Sequence, residues 1–369
     1  MAISDYLHGV RRSRDKFNFA LGRSLFDRNL PPLERLESCD SVLIVRSDGK
    51  IGDSLVASFI YPELKKANPN MTIGVLCTAN TAAMYESNPA IDHVHHYPKR
   101  AKLWQVKKLI SRLPYYQAVI FLPETVKARD FLMLGCLKAQ LNIGIAQGVG
   151  LINCNIREQV LGKPSQQYFI EAAKRLGVTV EDANYRYTLP AETEQAVLGF
   201  LAEMRGQYIA LNPFGNAGKR SFTEERLIQV AAGLREAFPE FSLVILASPS
   251  NQALVSRVAE PLAGVHCLAQ TQSIDQNAAL IKHSKLFISV DTATVHLARC
   301  FASPMVAIYR PDPANFAMWQ PNYQPTEVVF SREPSNSQEE VNIGEFDLAE
   351  LLQKCRQLLA RLTTESAQA

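Results

Sequence analysis

The chain has 369 residues, 47% of them hydrophobic and 20% charged, so it is globular and long enough to form two hydrophobic cores. Its net charge of +3 gives no indication of a nucleic-acid partner, and we expect none. The seven cysteines include no C-x-x-C pair, which argues against a zinc ribbon and a disulfide framework and favours reduced thiols in a cytoplasmic protein.

The N-terminal segment, residues 1–40, is an extension ahead of the first predicted strand. It lacks the uninterrupted apolar core of a secretory signal, and no later stretch approaches the roughly 20 apolar residues of a membrane span. Residues 6–26 predict a basic amphipathic helix. Such a helix either lies on an anionic membrane surface or packs on its own domain, and the sequence leaves both alternatives open.

Short apolar runs alternate with helical patterns from residue 41 to residue 185, which predicts a parallel sheet with crossover helices. The predicted strands are 41–46, 72–77, 92–98 and 118–123, and the predicted helices are 54–69, 79–87, 101–113, 125–139 and 165–176.

The same alternation restarts at residue 208, after the polar segment 181–195, which we interpret as the domain boundary. The predicted strands here are 208–213, 241–248, 265–269, 286–290 and 305–310, and the predicted helices are 222–239, 251–263, 275–284 and 292–301.

The sequence therefore predicts an α/β protein with two Rossmann-like domains, residues 41–185 and 186–345. Their parallel sheets are expected to face a central cleft, because open sheets bind ligands outside the carboxyl ends of their strands. The final segment, residues 346–369, predicts a helix that could pack back on the N-terminal domain. Residues 331–340 predict an exposed loop.

The stretch GKIGD, residues 49–53, directly follows the first strand. It is not a Walker loop, which needs Lys and then Ser or Thr after its second glycine, and it is not a dinucleotide fingerprint. Asp53 lies near the start of the next helix, where a carboxylate is favourable in its own right. Its spacing alone fits a structural residue as well as a catalytic one.

Two loops of the second half indicate an anion site. NPFGNAGKR, residues 212–220, places two glycines and adjacent cations between a strand and a helix, where backbone amides and a lysine can bind an anion. DTATVHLA, residues 291–298, begins at a strand end with Asp291 and Thr292, and Thr292 can cap the next helix or donate to a phosphate. His296 lies about one turn further on, so we expect it to face the same ligand.

These three segments together resemble glycosyltransferase family 9, the bacterial heptosyltransferases of lipopolysaccharide core assembly. DTATVHLA matches the family's most specific signature, D-[TS]-[GA]-x-x-H-[LI]-A, and SPMVAIYRPDP, residues 303–313, is similar to its strand and D-P loop. The resemblance covers roughly residues 41–320 by motif order and strand context. It implies a GT-B architecture with the acceptor in the N-terminal half and an ADP-sugar donor in the C-terminal half.

The resemblance further implies an inverting transfer of heptose from ADP-L-glycero-D-manno-heptose to the inner core of lipopolysaccharide. It assigns Asp53 as the general base toward the acceptor hydroxyl and Lys219 as the cation that neutralises the donor phosphates. The donor-binding residues are Asn212, Phe214, Gly215, Asn216, Lys219, Arg220, Asp291, Thr292, Ala293 and His296. The candidate acceptor-binding residues are Lys50, Gly52, Lys99, Arg100 and Lys102.

The basic run 99–112 holds six cations and no acid, and it is either a solvated face or a contact surface for acidic groups of the acceptor. No D-x-D occurs in the chain, and His93, His95 and His96 lack an acid or cysteine to complete a metal site. We therefore expect a metal-independent enzyme with no cofactor besides its ADP-sugar substrate.

Two departures from the family leave alternatives open. Residues 249–252 read PSNQ where relatives often place Gly and Glu near the donor, and the N-terminal extension is absent from many members. The alternatives are a transferase of the same fold that uses another nucleotide sugar, and a catalytically idle saccharide-binding protein. A lipid-linked acceptor implies a cytoplasmic location, peripheral to the inner membrane.

Overall fold

The structure is a computed structural model that describes residues 2–204, 206–216, 218–334 and 340–368, with side chains from residue 13 to residue 364. The chain divides into two compact units, Met1–Asn184 and Tyr185–Ala369. Half of the loop predicted at 331–340 lies outside the described residues, as do the side chains of the first part of the predicted helix 6–26.

The first unit is a parallel sheet flanked by helices. Its strands, in chain order, are β1 (Ser41–Arg46), β2 (Thr72–Cys77), β3 (His93–His96), β4 (Ala118–Phe121), β5 (Leu141–Gly144) and β6 (Cys154–Asn155). Its helices are α1 (Ala2–Phe26), α2 (Ile51–Val56), α3 (Ile60–Ala67), α4 (Ala79–Glu86), α5 (Leu103–Ile110), α6 (Ala128–Leu137), α7 (Arg157–Val160) and α8 (Ser165–Arg175). The strand order is β3-β2-β1-β4-β5-β6.

The second unit repeats this arrangement. Its strands are β7 (Tyr208–Asn212), β8 (Ser242–Ile245), β9 (Val265–His266), β10 (Leu286–Val290), β11 (Met305–Tyr309) and β12 (Thr326–Phe330). Its helices are α9 (Ala191–Glu203), α10 (Glu224–Ala237), α11 (Gln252–Ala259), α12 (Ile274–Lys282), α13 (Ala293–Cys300), α14 (Pro313–Trp319) and α15 (Leu348–Gln368), with a 3-10 helix at Gly218–Arg220. The strand order, β12-β11-β10-β7-β8-β9, is again the Rossmann order.

Both sheets are parallel throughout, and their central strands are buried along almost their whole length. Parallel strands covered by helices on both faces read as continuous apolar runs, which is why their positions were predictable. The predicted fold class, α/β with two Rossmann-like domains, is confirmed.

Several predicted elements are corrected by the structure. The single helix expected at 54–69 is two helices, α2 and α3, and α2 begins at Ile51, so that Asp53 lies inside its first turn. The polar segment 181–195 contains the start of helix α9, which begins directly after Pro190. Strands β5, β6 and β12 and helix α14 were not predicted, because they are short or only partly buried.

Helix α1 packs within the first unit. The Phe19 ring lies edge-on to the Phe131 ring of α6, with 5.4 Å between centroids. A Cβ at Gly22 would come within 2.6 Å of the Ala128 backbone, so the two helices cross in close contact. The Asp27 carboxylate then accepts hydrogen bonds from the amides of Gly150 and Leu151. Of the two alternatives for this segment, packing on its own domain is the one observed.

Helix α15 packs within the second unit, which corrects the expectation that it lies on the N-terminal domain. Leu351, Cys355 and Leu358 form one buried stripe of this helix and join the hydrophobic core below β10 and β11. The spacing of these residues, four and three apart, is that of a helix with one apolar face.

All seven cysteines are free thiols, as the sequence predicted. No helix in the described ranges combines the length and the apolar character that crossing a bilayer requires.

Candidate active site

In each sheet the strand order reverses once, between β1 and β4 in the first unit and between β7 and β10 in the second. Open α/β sheets bind ligands outside the carboxyl ends of the strands at such a switch point. The loop containing GKIGD leaves β1, and the loops NPFGNAGKR and DTATVHLA leave β7 and β10. The fold thus places all three motifs at ligand-binding positions of their own units.

Asn212, at the end of β7, ties the two loops of the second unit together. Its side-chain amide nitrogen donates to the Thr294 hydroxyl at 2.8 Å and lies 3.3 Å from the Ser289 hydroxyl. Its oxygen accepts from the backbone amide of Phe214. The residue is only 6% exposed. Asn212 therefore positions the two loops, and its predicted contact with the donor stays a prediction.

The NPFGNAGKR loop folds back tightly on itself. The Phe222 amide donates to the Pro213 carbonyl at 2.9 Å, and the Gly215 amide donates to the Ser221 hydroxyl at 3.0 Å. A Cβ at Gly215 would lie 2.3 Å from the Arg220 carbonyl oxygen. Only glycine fits here without moving the backbone that carries the cations.

We expect Gly215→Ala to weaken ADP binding about tenfold, since relieving the clash with Arg220 requires a loop shift that costs roughly 1–3 kcal/mol. Calorimetric titration with ADP measures the effect. Gly199→Ala is the matched control, because nothing lies within 4 Å of that position in α9 and alanine favours a helix. Equal ADP affinity in the two variants would contradict the assignment of this loop to the donor.

Three cations surround the loop. The Lys219 ammonium donates to the Glu340 carbonyl at 3.1 Å, and the Arg310 guanidinium lies 3.4 Å from the Glu340 carboxylate. Burial raises the pKa of Asp291, while the charges of Arg220 and Arg310 act in the opposite direction. The half-buried Asp291 carboxylate thus lies near two arginines, and the neighbouring Asp312 carboxylate acts with burial to raise its pKa.

Helix α13 begins at this edge without a side-chain cap. Thr292 occupies the N-cap position, but its hydroxyl makes no capping hydrogen bond within the described chain. Of the two predicted roles, the cap is thus not observed, and donation to a phosphate stays a prediction. The Asn315 side chain donates to the Asp291 carboxylate at 3.1 Å. The first amides of α13 and the Thr292 hydroxyl are the groups that an anion at a helix N-terminus would use.

His296 lies in the interior of the second unit. It is 5% exposed, and its ring centroid is 6.0 Å from that of Tyr185 and 6.2 Å from that of Trp319. Burial, together with the charge of Arg299, lowers the pKa of His296 to about 4, so the imidazole is neutral near pH 7. Its buried Nδ1 has no hydrogen-bond partner among the described residues, and its predicted contact with the ligand stays a prediction.

In the first unit, Asp53 is 22% exposed at the side chain, and the Lys50 ammonium is 3.8 Å from its carboxylate. Burial raises the pKa of Asp53, the Arg46 charge opposes that shift, and Asp48 adds to it. The turn before α2 depends on Gly49, which has φ +66° and packs against Thr78. Gly52 lies inside α2 and takes no part in that turn.

Arg46 is a residue of the site that the sequence analysis missed. Its buried guanidinium lies 3.2 Å from the Asp48 carboxylate and sits over the Phe169 ring, 5.6 Å from its centroid. The available signal was an arginine at the end of an otherwise apolar strand, SVLIVR. A buried positive charge at a strand end needs a carboxylate partner, and Asp48 and Asp53 follow it closely in the sequence.

A cationic cavity of about 800 Å³ opens beside this loop in the first unit. Lys99 and Arg100 line it, whereas Lys102 is the residue directly before helix α5 and is not part of the lining. The acceptor-binding role of these three residues stays a prediction. The cavity is lined by Arg14, Asp15, Asn18, Ser47, Asp48, Lys99, Arg100, Lys127 and Arg129.

The histidines of β3 have other partners. His95 is hydrogen bonded to the Tyr116 hydroxyl at 2.8 Å, and His96 lies 3.1 Å from the Glu86 carboxylate. Across the described residues, no group of three histidines, cysteines or acids is arranged to hold a metal ion.

Comparison with known families identifies the chain. The model for glycosyltransferase family 9 (heptosyltransferase) matches residues 106–345, well over half of the sequence. The chain belongs to glycosyltransferase family 9. It is therefore a glycosyltransferase, as the sequence analysis predicted from its motifs. The matched range covers both loops of the second unit and part of the cationic cavity, while β1 and GKIGD precede it.

Individual relatives of this family-9 chain are consistent with that assignment. It is 24% identical over 328 residues to the "Putative lipopolysaccharide heptosyltransferase 4" of Escherichia coli K12, covering 86% of this chain and 88% of that protein. A solved family 9 glycosyl transferase from Veillonella parvula superposes with TM-score 0.72 at 16% identity, covering 88% of this chain and 98% of the other. The E. coli heptosyltransferase WaaC with ADP gives TM-score 0.66 at 18% identity over 86% and 99%.

Proposed function

We propose that this family-9 chain is an inverting heptosyltransferase that moves heptose from ADP-L-glycero-D-manno-heptose to the inner core of lipopolysaccharide. The observation that carries the proposal is the pair of loops joined by Asn212, which presents Lys219, Arg220 and the uncapped start of α13 at one edge of a Rossmann sheet. This is the chemistry of a diphosphate site. The name of one curated relative and the ADP in one solved relative support the substrate assignment.

In the proposed reaction the acceptor hydroxyl attacks the anomeric carbon of the donor on the face opposite to the departing ADP. One C–O bond forms, the bond to the diphosphate breaks, and the configuration inverts. Asp53 accepts the hydroxyl proton, because an alcohol is far too weakly acidic to ionise alone. Lys219, Arg220 and the α13 amides stabilise the negative charge that develops on the leaving diphosphate.

These cations provide the charge stabilisation within the protein, so we propose that the transfer needs no metal. Lys219 and Arg220 lie in the 3-10 helix Gly218–Arg220, and Arg310 follows strand β11. Basic side chains of this kind can neutralise a phosphate by charge-assisted hydrogen bonds without a divalent ion.

A panel of nucleotides and nucleotide sugars tests the function. ADP at about 100 times its Kd should stabilise the fold by about 2.7 kcal/mol, and UDP at the same concentration should do less. With ADP-heptose and a core acceptor, ADP should be released at the same rate with and without EDTA. A preference for UDP would contradict the proposed ADP-sugar donor. Loss of activity in EDTA would contradict the metal-free mechanism.

The panel also separates the two alternatives. Transfer from a different nucleotide sugar would indicate a same-fold transferase. In this chain the polar side chains of the 249–252 loop are used within the protein. The Asn251 side chain accepts from the Ser248 amide, and the Gln252 side chain donates to the Leu268 carbonyl and accepts from the Thr271 amide. Binding of ADP-heptose without any ADP release would indicate the idle saccharide-binding protein. A peripheral contact with the inner membrane and a cytoplasmic location remain part of the proposal.

A further inference from the structure

Helix α1 contributes one wall of the cationic cavity. Arg14, Asp15 and Asn18 line it from α1, opposite residues of the loops that follow β1, β3 and β4. Helix α1 precedes both the family-like motifs and the matched range 106–345. Of the lining residues, Lys127 and Arg129 lie in the matched range, and the residues of α1 and of the loops after β1 and β3 precede it.

The charge of the cavity is unbalanced. Five of its lining residues are cations, Arg14, Lys99, Arg100, Lys127 and Arg129. Of its two carboxylates, Asp48 lies 3.2 Å from the Arg46 guanidinium outside the lining. Two of the five cations have an acidic neighbour, since Arg14 lies 3.8 Å from Asp15 and Arg129 lies 3.7 Å from Asp130. Within the described residues, the side chains of Lys99, Arg100 and Lys127 form no ion pair. A cavity whose cations outnumber its carboxylates favours an anionic ligand.

The walls that carry these cations are held in place. The Arg129 guanidinium donates to the Lys99 carbonyl at 2.8 Å, which joins the loops after β3 and β4. The Lys127 amide donates to the buried Asp130 carboxylate at 2.9 Å. Helix α1 is fixed against α6 by the Phe19–Phe131 contact. The segments that carry the cations are therefore fixed by contacts within the unit, while the side chains of Arg14, Lys99 and Arg100 are exposed.

We propose that α1 completes a binding site for a phosphate or carboxylate group carried by the acceptor saccharide, and that Arg14 determines specificity for that charged group. The volume of about 800 Å³ is within the range of small-ligand sites. Guanidinium groups match the geometry of phosphate and carboxylate oxygens, and Arg14 and Arg129 supply two of them from different helices. The inference rests on the proposed function, because it names the acceptor class of that same transferase.

Binding is measured by calorimetry with a core oligosaccharide in three forms: phosphorylated, phosphatase-treated and carboxyl-reduced. Wild-type protein should bind the fully charged form more tightly than at least one neutralised form, and the form that loses affinity identifies the charged group. Arg14→Ala should weaken binding of the charged form about three- to tenfold and leave the neutralised form unchanged. Arg14→Lys keeps the positive charge but loses the planar, two-pronged geometry of the guanidinium. Its affinity for the charged form should therefore lie between those of the wild type and of Arg14→Ala. Arg23→Ala, an exposed arginine of the same helix outside the cavity, is the matched control.

Calorimetry needs no turnover, so the inference and the proposed function fail separately. Absence of ADP release with intact, charge-selective binding would overturn the transfer reaction and leave the site standing. Arg14→Ala binding all three saccharides as the wild type does would overturn the inference. The inference would also be overturned if Arg14→Ala lost only its binding to vesicles that contain anionic lipid, because α1 would then bind a membrane surface.

Discussion

Asp53→Asn should lower kcat by about two to four powers of ten, the usual contribution of a positioned general base. Asparagine keeps the shape of the side chain and caps or begins a helix about as well as aspartate, but it cannot accept the hydroxyl proton. ADP affinity and melting temperature should therefore stay near the wild-type values. Initial rates of ADP release at saturating substrates, with calorimetric titration of ADP, measure the two effects.

The pH dependence of wild-type activity tests the role of Asp53 independently of the substitution. The base must be ionised, and burial raises the pKa of Asp53, so activity should fall with decreasing pH at a value above that of an ordinary aspartate. Asp40→Asn, an exposed carboxylate just before β1, is the matched control and should leave both the rate and the profile unchanged. An active Asp53→Asn enzyme would assign the residue to the start of α2 alone.

Lys219→Ala should lower kcat/KM by about one to three powers of ten, comparable to losing one preorganised electrostatic stabiliser. The ammonium is exposed and contacts only a carbonyl, that of Glu340, in the described structure, so its removal leaves no buried charge and should not affect folding. Steady-state kinetics with varied ADP-heptose measure the loss. Because charge is what matters in this role, Lys219→Arg should recover part of the activity.

Lys163→Ala, at an exposed lysine in the first unit, controls for removing a surface cation. Kinetics of Lys219→Ala that match this control would remove Lys219 from the donor site. A defect that appears only as a lower melting temperature would place Lys219 in the support of the segment around Glu340, since the ammonium donates to the Glu340 carbonyl at 3.1 Å.

The sequence was most informative where burial imposed a simple pattern. Strands β1, β2 and β10 begin and end at the predicted residues, because each is covered on both faces and reads as an unbroken apolar run. Strand β12, at the edge of its sheet and only partly buried, has no such run and was missed. Chain order also placed the three site motifs at strand ends, where the fold indeed holds them.

Side-chain direction within those motifs could not be read from spacing. His296 follows Thr292 by about one helical turn, yet the rotation of α13 against Tyr185 and Trp319 turns its ring inward. Asn212 carries a polar amide suited to a ligand, but its groups are used by neighbouring loop residues. Both outcomes depend on tertiary contacts between segments distant in the chain.

The site residues that could not be predicted from the sequence are also brought into place by tertiary contacts. Arg46 belongs to the Asp53 loop through an ion pair with Asp48, and Arg310 and Asn315 reach Asp291 from the segment after β11. Arg14 reaches the acceptor-side cavity only because α1 packs on α6. None of these is adjacent in sequence to the group it serves.

The hydrogen bonds of Asn212 have a consequence for the thermodynamics of donor capture. Because one buried amide joins the loop after β7 to α13 through Thr294, neither segment can rearrange without breaking a bond that the other also needs. At the proposed donor site the first amides of α13 are thus fixed in advance, and we expect nucleotide binding to cost little conformational entropy. In the proposed reaction, binding energy is then available for the charge that develops during transfer instead of being consumed in ordering the protein.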